Sequence, residues 1–128
     1  MSLRTPLGRV LGRGSAKSGS AHWWTQRLSA IALIPLTLWF AISLSLLPAL
    51  DYATVSAWLA GTWTAILASL LVLVLAHHSN AGVQVVIEDY VQDHGLKLIA
   101  LVAVTFAHCV IAAAGVFAVL RVGLGSVA

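Results

Sequence analysis

The chain has 128 residues, 60% of them hydrophobic and 9% charged, with a mean hydropathy of +0.97 and a formal net charge of +3. That balance excludes an ordinary soluble globule, in which about a quarter of the residues are charged, and leaves room for one membrane-embedded domain. Arg4, Arg9, Arg13, Lys17 and Arg27 precede the first apolar run and only Lys97 and Arg121 follow, so the charge reads as a topology signal and, lacking aromatic interleaving, not as a nucleic-acid surface.

Residues 1–21 are rich in Gly, Ser and Arg, contain no acidic residue and show no apolar periodicity, which predicts a poorly ordered tail. The same composition suits a mitochondrial transit peptide, so bacterial and organellar origins both remain open. A cleaved signal peptide is not expected, because the apolar run that follows is about twice the length of a signal core. His22 to Arg27 form an amphipathic lead-in whose adjacent Trp23 and Trp24 suit an interfacial aromatic belt. Residues 1–27 are therefore read as a basic tail with its lead-in, and 28–128 as a membrane domain of three helices.

The first span, 28–50, is long enough at about 1.5 Å per residue to cross a hydrocarbon core of roughly 30 Å. Pro35 is expected to bend it and Pro48 to end it, with Asp51 and Tyr52 marking the exit. The second span, 53–87, exceeds a minimal one by about ten residues, which predicts tilt or projection beyond the bilayer. Gly95 is expected to act as a helix terminator in the turn Gln92, Asp93, His94, Gly95. The third span, 96–120, is capped at the far interface by Arg121. The predicted fold is all-α with three transmembrane helices, the N-terminus cytoplasmic by the positive-inside rule and the C-terminus periplasmic. This topology puts Arg27 and Trp24 at the same interface as Asp89 and Tyr90.

The chemically expensive residues lie between His77 and Tyr90. Ionisable groups inside a membrane segment mark functional sites by default. His77 and His78 point about 100° apart on a helix, so both cannot face one partner. His78 shares a face with Gly82, whose bare backbone admits a flat macrocycle. A neutral imidazole in a bundle interior is a good axial ligand for haem iron, and equally a residue that hydrogen-bonds a neighbouring helix. The same two readings apply to His108. Asp89 and Tyr90 stand about 18 Å along the helix from His78. A phenol donating to a carbonyl oxygen beside a carboxylate that relays protons suits a quinone headgroup, and an interfacial helix end has the same composition. Glu88, Asp93 and His94 read as solvated turn residues. Cys109 is the single cysteine. It makes neither an internal disulfide nor a cysteine-ligated cluster, and reads as a small packing residue.

The lead-in H-W-W-T-Q-R-L-S-A at 22–30 with P-L-T-L-W-F at 35–40, and H-x-x-x-G-x-Q-V-V-I-E-D-Y-V at 78–91, resemble the hydrophobic membrane-anchor subunit of succinate dehydrogenase, respiratory complex II, in its alphaproteobacterial and mitochondrial-like branch. The resemblance covers about residues 1–121. It implies that His78 is an axial ligand of a haem b shared with a second membrane subunit of cytochrome b556 type, that Asp89 and Tyr90 border the ubiquinone site, and that Arg27 lies near the haem propionates or the quinone pocket. It further implies a flavoprotein and an iron–sulfur subunit as partners and the bacterial inner membrane as the location. His77 departs from the family pattern, which has an apolar or aromatic residue before the ligand. With no G-x-G-x-x-G loop and no cysteine set, this chain carries neither flavin nor iron–sulfur chemistry itself. The alternatives are an anchor of a related quinone oxidoreductase, such as fumarate reductase, and a purely structural three-helix subunit.

Overall fold

A computed structural model describes residues 19–125. Among them the chain forms only helices: α1 (Gly19–Ser45), α2 (Tyr52–Leu59), α3 (Thr62–Tyr90) and α4 (His94–Gly125). Of the predicted tail, 1–21, residues 1–18 lie outside the described residues, and 19–21 belong to the first helix. α1, α3 and α4 are each long and apolar enough to cross a membrane. Three spans are thus present, with bounds that differ from those read in the sequence.

α1 takes in the whole lead-in and keeps Pro35 in its interior. It ends five residues before the expected Leu50, because its last turn tightens. Leu47 N–H donates to Leu44 O at 3.2 Å, an i→i−3 bond, and Pro48 has no N–H with which to continue the ladder. Asp51 then caps α2 by accepting from the Thr54 amide at 2.8 Å and the Thr54 hydroxyl at 3.2 Å.

The run read as one span from 53 to 87 is two helices. α2 stops at Leu59, and Gly61 takes an extended conformation (φ −65°, ψ 125°) before α3 begins. A side chain at Gly61 would press on Trp58 O at 3.3 Å and Thr64 Oγ1 at 3.2 Å, so the corner is built on backbone proximity that only glycine allows freely. α2 lies against α3 and α4 and stacks Trp58 on Trp39 of α1, ring centroids 5.9 Å apart.

α3 is the central helix. It packs on α1 along one seam and on α4 along another, and the backbones of α1 and α4 do not approach each other. Both seams are antiparallel: Ser29 meets His78 while Gly82 approaches Gln26 in one, and Gln84 meets Thr105 while Gly115 approaches Val72 in the other. Small residues bring the backbones together. A Cβ on Gly115 would lie 2.7 Å from Val72 Cγ1, and one on Gly123 would lie 2.7 Å from Leu59 O. Few side chains are buried, Leu36, Ala68, Leu71, Ala76, Ala81 and Ser29 among them, and many long apolar side chains, such as Ile34, Leu38 and Phe106, face outward. Such a surface belongs in lipid or against other subunits.

Gly95 does not terminate a helix. α3 closes at Tyr90, and Asp93 starts α4 by accepting from the Leu96 amide at 2.7 Å, which leaves Gly95 inside the first turn. The carboxylate satisfies a free amide at the helix start, which outweighs the intrinsic cost of glycine within a helix. α4 also runs past Arg121 to Gly125, so this arginine stands one turn inside the helix end.

Candidate functional site

Four consecutive polar residues, His77, His78, Ser79 and Asn80, fall near the middle of α3. Steps of about 100° send them in four directions. His78 points into the α1 seam, where Nδ1 lies 3.0 Å from Ser29 Oγ. Ser29 is 7% exposed, and its hydroxyl donates to Gln26 O at 2.8 Å. Among the described residues His78 Nε2 has no hydrogen-bond partner.

Ser79 points into the α4 seam, 3.2 Å from His108 Nε2, and His108 Nδ1 donates to Val104 O at 2.8 Å. Both nitrogens of His108 thereby have partners inside the chain, one of them on the neighbouring helix α3. Gln84 adds a second strut, donating from Nε2 to Thr105 Oγ1 at 3.0 Å. His77 is exposed, and with Asn80, Thr105, His108 and Cys109 it lines a groove of about 160 Å³ between α3 and α4. Asn80 Oδ1 is buried without a partner among the described residues. A larger groove of about 510 Å³ lies among apolar residues such as Leu59, Ile66 and Leu120, far from the histidines, and offers no catalytic group.

A haem at this layer would find a suitable ligand atom in His78 Nε2, which has no hydrogen-bond partner among the described residues. Gly82, one turn along, contributes room: a Cβ there meets nothing closer than Gln26 Nε2 at 4.0 Å. The donor set therefore fits a prosthetic group that takes a single ligand from this chain.

The other expected site residues lie elsewhere. Asp89 and Tyr90 end α3 about 18 Å from the His78 level. Both are exposed, Tyr90 at 80%. Lys97 Nζ reaches back to Glu88 O at 2.9 Å and ties this rim to α4, placing a cation where the C-terminal end of the helix dipole and two carboxylates need one. Arg27 stacks over Trp23 at 5.4 Å from the ring centroid. It is two residues from Ser29, hence within about 3 Å of the His78 level along the helix axis. The start of α1, N-terminal to Arg27, stands opposite Asp89 and Tyr90 in this pairing. Sequence reading quoted Ser29 and Gln84 within its two motifs but gave neither a role.

Residues 1–113 match the family described as succinate dehydrogenase/fumarate reductase transmembrane subunit. The chain is 35% identical over 123 residues to the succinate dehydrogenase hydrophobic membrane anchor subunit of Paracoccus denitrificans, covering 96% of this chain and 95% of the relative. It is 33% identical over 102 residues to the subunit of the same name from Rickettsia bellii, covering 79% and 81%. The succinate dehydrogenase membrane anchor subunit of Reclinomonas americana is 31% identical over 88 residues, covering 66% and 73%. No solved structure matches. Three apolar membrane-length helices and these relatives together make the chain a member of the succinate dehydrogenase/fumarate reductase transmembrane-subunit family, of the hydrophobic membrane-anchor type.

Proposed function

We propose that this protein anchors the flavoprotein and iron–sulfur subunits of succinate dehydrogenase to the bacterial inner membrane, shares a haem b with a cytochrome b556-type partner through His78, and borders the ubiquinone-reduction site with Asp89 and Tyr90. The observation that carries the haem assignment is the unclaimed Nε2 of a half-buried imidazole midway along the central helix, beside the room left by Gly82. Of the neighbouring imidazoles, His108 has both nitrogens engaged and His77 faces outward. The height of Arg27 favours the propionate edge over the quinone pocket, because a guanidinium pairs with carboxylates close to it. When bound, the haem would supply a one-electron centre, with His78 the residue of this chain that would hold it.

At the rim, the Tyr90 phenol donates a hydrogen bond to a quinone carbonyl and Asp89 passes protons from water. Tail charge supports an N-terminus on the cytoplasmic side, so the α3–α4 turn takes its protons there. The second reading, in which the histidines serve only to join helices, draws on the Ser29–His78 bond itself. The test is His78→Ala in the assembled complex. Loss of the reduced-minus-oxidised b-type signal, with His108→Leu retaining it, is the expected result. A full signal in His78→Ala would favour the structural reading or transfer the ligand role to His77.

A further inference from the structure

Ser29 sits in the apolar run of α1 at 7% exposure, and a hydroxyl so placed has to satisfy its proton and its lone pairs within the protein. Its proton goes to Gln26 O, 2.8 Å away, a carbonyl that only accepts. One hydroxyl carries one proton, so toward His78 Nδ1, 3.0 Å away, the same oxygen is the acceptor. The shared proton then belongs to Nδ1, and the lone pair of the neutral ring is on Nε2. The network thus assigns the tautomer from groups of this chain alone.

We infer that Ser29 is a positioning residue: anchored on the Gln26 carbonyl, its hydroxyl fixes the His78 tautomer and ring orientation so that Nε2 is presented to haem iron. This rests on the haem reading above and extends it to a residue on a different helix. Accepting the Nδ1 proton draws the ring toward imidazolate character, which strengthens its donation to oxidised iron. The same bond accounts for the choice between adjacent histidines. His77 has no hydrogen-bond partner among the described residues and faces outward, so none of them sets its tautomer, whereas Ser29 orients His78.

The experiment uses the purified complex with Ser29→Ala, Ser29→Cys and Ser29→Thr, alongside His78→Ala. Haem transfer to apomyoglobin, the haem midpoint potential and the ferric electron paramagnetic resonance spectrum are measured. Ser29→Ala is expected to transfer haem on the order of 10- to 100-fold faster, the usual cost of losing an outer-shell partner, and to raise the midpoint potential. Thr, which keeps the hydroxyl, restores both, and Cys, a weaker acceptor, falls between. Wild-type transfer rate and potential in Ser29→Ala, with haem lost in His78→Ala, would overturn the positioning role alone. Haem retained in His78→Ala would overturn the ligand reading and this inference together. Where Ser29→Ala does not assemble, the Thr and Cys complexes decide, equal potentials counting against the role and the order Thr below Cys supporting it.

Discussion

A histidine pair in a bilayer is ambiguous until the hydrogen-bond partners of each nitrogen are known. His77, His78 and His108 look alike in the sequence, all imidazoles in apolar runs. The structure separates them by what their nitrogens meet among the described residues: two partners for His108, one for His78, none for His77. The family motif pointed at His78, but the pairing of Ser29 with it was not legible. It is forty-nine residues away, and pairing across that distance is written in no local pattern. Tyr90 was legible as an interfacial residue, and its exposure at the end of α3 agrees with a role that needs access. Tyr90→Phe removes one donor and no packing. Quinone reduction by the complex is expected to fall on the order of 10²-fold, the usual contribution of a positioned proton donor, while succinate oxidation with an artificial acceptor persists. Unchanged quinone turnover would dismiss the phenol.

At the level of elements, helix existence was readable from hydropathy and helix ends were not. The α2–α3 break depends on a single extended glycine inside an otherwise continuous apolar run, and hydropathy does not register backbone direction. Gly115 and Gly123 illustrate a related blindness, since sequence shows only small residues while the structure shows what each meets. At Gly115 the obstacle is a valine methyl, which can rotate away, and at Gly123 it is a backbone carbonyl, which cannot. Gly123→Ala should therefore destabilise by roughly 1–3 kcal/mol, the usual range for overpacking, and Gly115→Ala by less. The order of midpoints in thermal denaturation of the complex checks this, and the reverse order would refute it.

The α2 cap carries the pH dependence. Hydrogen bonds from the Thr54 amide and then its hydroxyl hold the Asp51 carboxyl below its ordinary value. A depressed folded-state pKa contributes stability above the unfolded value of about 3.9, and that contribution is lost as pH falls through the folded value. Asp51→Ala should speed amide exchange at Thr54 and Val55 at pH 7, with the difference from wild type vanishing in strong acid. Equal protection at pH 7 would show that the cap is idle.

Viewed whole, the described chain is a strip three helices wide, with an apolar surface on nearly every side. Composition alone makes it a membrane protein, because so few charges leave no way to cover such a surface with water-compatible groups. Which face meets lipid and which meets another subunit is not encoded in hydropathy, since the two environments are equally apolar. The polar layer breaks that symmetry, and it lies along the seams of α3.

Because the backbones of α1 and α4 do not approach each other, and the Trp39–Trp58 stack joins α1 to α2 away from the histidines, no backbone packing at the histidine level lets one flank brace the other. A perturbation on one side reaches the far side only by deforming the helix between them. Ser29→Ala on α1 and His108→Leu on α4 should accordingly act as independent events, their combined effect on the stability of the complex equalling the two separate effects within about 0.3–0.5 kcal/mol. A double-mutant cycle with a larger residual would reveal a stiff strip that transmits load sideways. Additivity would instead describe a hinge-like plank, in which the flank bearing Ser29 can move while the flank bearing His108 stays still.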